Sequence, residues 1–320
     1  MLCCHSLFAQ REVEDLLLKA EKGTETIHLK YAQEAYHKAQ TDSLKTESLD
    51  HIASIHLQND SLKLFFEVCQ LGLEDTRSRH DRWGESRFHY NFGEYYRKQN
   101  YFDSAYYHYF QATKGFKEIS DSIEVVKSLL NLSIMSMTIG DYVQSENEAV
   151  EGLKYLNKAD RPRLKTSSYN NLGISFVERG NFEKAIYWYT KCLDLAKSDK
   201  EFVTIYNNLG VASRKSKKYN QALEYFNKAL EQSYGEELDQ YRAMVLDNIG
   251  YTQFLLDGDG IGHMNQGYGL RKEKGNSYGE IVSELHLTEY YFTKDKSRME
   301  DLLRSAYNKA KAIGNTKNEL

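Results

Sequence analysis

The chain has 320 residues, 41% hydrophobic and 28% charged, a balance that buries a large apolar interior and excludes a disordered chain. A net charge of −4 and a pI near 6.2 leave no basic footprint for nucleic acid, and no stretch approaches the ~20 apolar residues of a bilayer span. The sequence holds one proline, Pro162, so long helices can run unbroken, and its 25 tyrosines suit helix packing with half-buried rings.

In chain order, the first ten residues, MLCCHSLFAQ, are uncharged and end in Phe8-Ala9-Gln10, just before a charged helical run from Arg11. A small residue closing an apolar run is the cleavage logic of secretory signals. Residues 1–10 are therefore expected to be a signal-peptide remnant cut after Ala9, which places the chain outside the cytoplasm, in a periplasmic compartment. The alternative is a short hydrophobic tail on a cytoplasmic protein. Residues 11–45 carry Ala32, Ala35 and Ala39 at helical spacing and are expected to form an N-terminal cap with a partial repeat.

Residues 46–320 repeat themselves. Tyr169-Asn-Asn-Leu-Gly173 returns as Tyr206-Asn-Asn-Leu-Gly210, and the match extends along the chain. Small residues recur at Ala53, Gly93, Ser133, Gly173, Gly210 and Gly250, with Leu287 a degenerate last member, in steps of 37 or 40. A second register follows 12 residues on (Phe65, Ala105, Ser145, Ala185, Ala222, Gly262, Met299) and a third 19 residues on (Gly72, Ala112, Gly152, Cys192, Ala229, Gly269, Ala306). Turn signals such as Gly140-Asp141-Tyr142 and Gly180-Asn181-Phe182 fall between the first two registers. Each unit thus reads as helix A, a short turn and helix B. Small residues let the helices approach, and Tyr109, Tyr189 and Phe226 fill the groove between units. The expected fold is an all-α, right-handed superhelical solenoid of antiparallel helix pairs, about seven units long.

This pattern resembles the tetratricopeptide repeat (TPR), with leucine-glycine in helix A and alanine, aromatic and alanine in helix B. The resemblance covers about residues 46–314 and is strongest at 168–195 and 205–232. Two features depart from the family: no proline follows helix B, and the units exceed the usual ~34 residues. The units instead close at Asp81, Asp121, Asp199, Asn276 and Asn315, which implies a helix B longer by about a turn and ended by a capping turn. The longer form resembles TPR arrays of bacterial signalling proteins, both peptide-responsive regulators and exported sensor regions that precede a kinase or helix-turn-helix output domain.

No residues form a convincing chemical site. Asp257-Gly258-Asp259-Gly260 lacks the fifth and twelfth ligands of an EF-hand, since Ile261 and Tyr268 stand there, and reads as the turn of the sixth unit. His286, at an apolar repeat position, reads as a packed, hydrogen-bonded histidine. Cys69 and Cys192 occupy helix B core positions and are expected to be reduced small hydrophobes. No catalytic residue, metal site or cofactor is expected, and the chain is not expected to be an enzyme; a phosphatase-like activity is the remote alternative.

One register stands out. Asn91, Asn131, Asn171, Asn208 and Asn248 each lie two residues before the small helix A residue, although asparagine is a mediocre helix former. The family resemblance puts this face in the concave groove, where an amide can donate to and accept from an extended peptide at once. Bonding to the neighbouring repeat is the alternative. Arg87, Lys127, Arg97 and Arg214 beside it would favour an acidic or carboxylate-bearing ligand. The function expected is therefore a protein- or peptide-binding module of a signal-transduction protein, either an extracytoplasmic sensor or scaffold or a cytoplasmic peptide-responsive regulator. Its partner is a protein or extended peptide in the groove, not nucleic acid.

Overall fold

A computed structural model describes residues 10–19, 25–156 and 161–316, with only the backbone described at 25–28 and 314–316. Among the described residues the regular elements are helical and there is no strand. The chain divides into two compact units, residues 1–160 and 161–320. Residues 1–9 lie outside the described residues, and so does the signal-peptide reading made on them; Gln10 is already helical.

The first unit opens with α1 (10–19) and α2 (Glu25–Lys38), which share a core of Val13, Leu16, Leu17, Ala35 and Ala39 with Leu44 of the next helix. Three pairs follow: α3 (Asp42–Gln58) with α4 (Leu62–Ser78), α5 (Arg82–Lys98) with α6 (Phe102–Glu118), and α7 (Ser122–Thr138) with α8 (Tyr142–Leu156). The second unit holds four pairs: α9 (Pro162–Glu178) with α10 (Phe182–Leu193), α11 (Asp199–Lys215) with α12 (Tyr219–Glu231), α13 (Asp239–Asp257) with α14 (Ile261–Glu273), and α15 (Ser277–Tyr291) with α16 (Lys296–Thr316). These seven pairs follow the small-residue register. Each helix packs on its neighbours in sequence, and A helices of successive pairs also meet directly, as α3 with α5, α11 with α13 and α13 with α15. The A helices therefore form the inner side of each stack.

The small residues act as expected. A Cβ on Gly93 would stand 2.5 Å from the ring of Tyr109, and one on Gly210 the same distance from Phe226, so only glycine admits these rings. Tyr109 belongs at once to its own pair and to a core with Val125 and Leu129 of the next helix A. In the third pair the small residues are hydroxylic: Ser133 and Ser145, both buried, bond across the pair at 2.8 Å.

After helix B, where the family's proline is missing, His80 and Ser120 turn left-handed at φ of 56° and 60°, and Asp60, Asn100 and Lys217 do the same between helix A and helix B, all where glycine is the usual choice. The next N–H then bonds back five residues, as from Tyr101 to Tyr96 and from Asp121 to Phe116. Asp81, Asp121 and Asn276 do not end helix B but cap the next helix A, each accepting from the N–H three residues on. Asp199 lies inside α11, and Ser198 caps it through a capping box with Glu201. Pro162 opens α9, where its missing N–H costs nothing.

Two expectations need correction. Helix B is not long throughout: α4 and α6 have 17 residues and α16 has 21, whereas α10, α12 and α14 have 12 or 13. After α12, Gly235 with φ of 97° and a short 3-10 turn, Glu236–Leu238, take up the remainder of the repeat. In the sixth pair the register slips. Helix α13 runs to 19 residues rather than 17, so the whole of α14 is displaced and its buried positions become Met264, Gly267 and Arg271. Gly262 and Gly269, the residues the repeat count selects, face open space. Asp257–Gly260 is the turn between these two helices, with Gly258 and Gly260 both at positive φ.

Cys69 and Cys192 are free and fully buried. Burial raises the Cys69 thiol well above its ordinary range and pushes Cys192 up to about 12. Thiolate is the reactive species. Native protein is therefore expected to react with a disulfide reagent at least ~100-fold slower at these two residues than urea-unfolded protein does. Equal rates would place the helix B core elsewhere.

Candidate functional site

The asparagine register lies on the A helices. In the first unit, Asn91 of α5 donates to Asp50 Oδ1 of α3 at 2.7 Å. Asp50 also takes the Nε–H of Arg87, with both carboxylate oxygens at 2.9 Å, and Arg87 reaches on to Glu124 at 3.4 Å. Asn131 of α7 donates to the Tyr90 hydroxyl at 2.9 Å and to Glu94 Oε1 at 3.0 Å. Glu94 accepts in addition from Tyr109 and from Arg97, both at 2.6 Å. Lys127 is held by Glu124. Burial, with Glu94 beside it, pushes the Tyr90 hydroxyl up to about 12, so it stays neutral while it accepts from Asn131.

In the second unit, Asn208 of α11 donates to Asn170 Oδ1 of α9 at 2.9 Å. Asn248 of α13 donates to Asn207 Oδ1 at 2.8 Å and accepts from Arg214 Nη1 at 3.0 Å. Asn171 is buried on α9. A rule emerges: the amide reaches back to the residue that precedes the register position one repeat earlier, namely Asp50, Tyr90, Asn170 or Asn207. The amides of Asn91, Asn131, Asn208 and Asn248 are therefore bonded to the preceding repeat rather than unpaired. The carboxylates Asp50, Glu94 and Glu124 were not singled out by sequence reasoning. Their signal was the repeat itself, since Asp50 precedes Asn91 by 41 residues just as Asn207 precedes Asn248.

This bonding has a measurable consequence. Asn248→Ala removes the partner of Asn207 and of Arg214 together, and stranded polar groups in a half-buried site cost ~1–3 kcal/mol. A comparable loss in urea unfolding is expected; a change within ~0.3 kcal/mol would mean that water replaces the amide without penalty.

The tetratricopeptide repeat matches at residues 168–201 and 203–233, the α9–α10 and α11–α12 pairs that carry the Tyr-Asn-Asn-Leu-Gly sequences. These two pairs are tetratricopeptide repeats. Three solved structures are similar to this TPR chain over most of its length. RapI in its apo form is 14% identical, with a TM-score of 0.72 over 85% of this chain and 99% of that one. The apo form of the quorum sensor NprR from B. thuringiensis is 14% identical, with a TM-score of 0.75 over 95% of this chain and 87% of that one. The Rap conjugation gene regulator of the plasmid pLS20, solved in complex with the Phr* peptide, is 12% identical, with a TM-score of 0.61 over 98% of each chain. At these identities the likeness shows the fold alone. No curated protein matches by sequence. Among the described residues no TPR helix is long and apolar enough to cross a membrane.

Proposed function

We infer that the chain is a protein- or peptide-binding module of a signal-transduction protein, and that it binds its partner without transforming it. The observation that carries this is the inner A-helix face of the second unit. There Asn170, Asn208 and Arg214, all half-buried, place two amides and one cation on α9 and α11, while the buried amides of Asn207 and Asn248 bond to each other and tie α11 to α13. An extended peptide offers backbone donors and acceptors along its length, and each hydrogen bond to it is worth a net ~0.5–1.5 kcal/mol. The fold shared with RapI, NprR and the Phr*-bound regulator supports the peptide-responsive regulator working in the cytoplasm. The extracytoplasmic sensor rests on residues 1–10 alone. The asparagines that tie one repeat to the next also set the spacing of the A helices, so a bound peptide would read that spacing.

Selection of a displayed random nonapeptide library on the purified chain tests the reading. Enriched peptides are expected to raise the melting temperature in proportion to the logarithm of their concentration, because they bind the folded state only. Selection that converges on no sequence, with no thermal shift, rejects it.

A further inference from the structure

We propose that Arg214 is the anchor for a carboxylate group of the bound peptide; this rests on the peptide-binding reading and adds the chemistry of the ligand. Arg97 and Arg214 each stand four residues after the small helix A residue, Gly93 and Gly210. At the first position Glu94, one turn earlier on the same helix, closes on Arg97 at 2.6 Å. At the second, the residue one turn earlier is Val211. The acid that neutralises the arginine is absent from the sequence, and among the described residues no carboxylate lies within ion-pair distance of Arg214.

The surroundings hold the guanidinium in place without discharging it. It lies over the Tyr251 ring at 4.9 Å and spends one N–H on Asn248. The nearest acids are committed elsewhere: Asp247 to Arg271 and His286, and Glu289 to the Tyr251 hydroxyl at 2.6 Å. Burial lowers the pKa of Arg214, whereas Arg87 and Arg97, with acids beside them, are raised. A half-buried arginine that keeps its charge without an anion is stabilised by any ligand that brings one, and its planar fork matches a carboxylate with two parallel N–H bonds. Two sources of that group are open, an aspartate or glutamate side chain and the peptide's own C-terminus.

The test uses the nonapeptides selected on the wild-type chain, each resynthesised in three forms: as selected, with Asp and Glu changed to Asn and Gln, and with the C-terminus amidated. One of the two neutral forms is expected to bind at least tenfold more weakly, and which one identifies the source. In Arg214→Gln the acid and neutral forms are expected to bind alike, while Arg214→Lys keeps part of the difference. Should Arg214→Gln fail to fold, the comparison on wild-type protein still decides. Peptides that bind equally well in all three forms, or a full difference that survives Arg214→Gln, overturn the carboxylate anchor and leave the peptide reading standing. Failure to select any peptide overturns both.

Discussion

Arg271→Leu is expected to cost ~3–5 kcal/mol, the largest loss of any single substitution considered, because it leaves a buried carboxylate without its cation. Asp247 and Arg271 are 1% and 5% exposed, at 3.3 Å. Arg271 Nη1 also donates to the Gly279 carbonyl at 2.6 Å and to Ser283 at 2.7 Å. Asp247 would keep only the His286 ring, at 2.9 Å, and its Oδ1 already lacks a partner. Replacing both members by leucine removes the stranded charge, and buried pairs exchanged for apolar side chains are often close to neutral. The double variant is thus expected to be more stable than Arg271→Leu in urea unfolding. Additive losses would show that the two residues do not act as a pair.

Acid should weaken the first unit through two histidines. His89 of α5 and His108 of α6 bring their Nδ1 atoms to 3.0 Å, a contact in which one ring donates and the other must keep its lone pair. Burial, aided by Arg77, brings His89 down to about 4, and burial with His89 itself does the same to His108. Arg82 adds to the repulsion at His89 and Glu85 opposes it. The unfolded chain takes up these protons near pH 6.5, while the native chain refuses them until about 4. Between those values the unfolded state binds more protons, so stability is full above pH 6.5 and falls as the pH drops towards 4. The difference corresponds to ~3 kcal/mol for one ring. Urea unfolding at pH 7.0 and pH 4.5 should show a fall of that order in the wild type and a clearly smaller one in His108→Phe, which keeps the ring packing against Phe92 and Tyr96. Equal pH dependence in both proteins would assign the effect to carboxylates elsewhere.

The helix pairs are legible in the sequence because a glycine under an aromatic ring is a demand that only one residue type meets. Gly93 beneath Tyr109 and Gly210 beneath Phe226 mark the spacing unaided. Where the demand relaxes, legibility fails. The two extra residues of α13 carry no composition signal, and Arg271 gives none either, because counting puts it at a surface position where a charge is ordinary. Helix ends formed by Asp60, His80, Asn100 and Lys217 are equally hard to read, because none is the glycine that marks such a turn, although Asp, His and Asn enter the left-handed region more readily than other side chains. For the candidate site, the asparagines were visible as a coincidence of register. Their bonding was not, since each partner is one repeat away and differs in type: an aspartate, a tyrosine and two asparagines.

The bonds that join one repeat to the next all span nearly the same length of chain: 41 residues for Asn91 with Asp50 and for Asn248 with Asn207, 37 for Arg87 with Asp50, 38 for Asn208 with Asn170. The entropy lost in closing a loop depends on its length, so every one of these junctions presents the same barrier to formation. None has to wait for a distant part of its unit to arrive. Within either unit, folding can therefore begin at whichever pair is locally most stable and zip outwards one pair at a time, at a speed set by the repeat and not by the length of the chain.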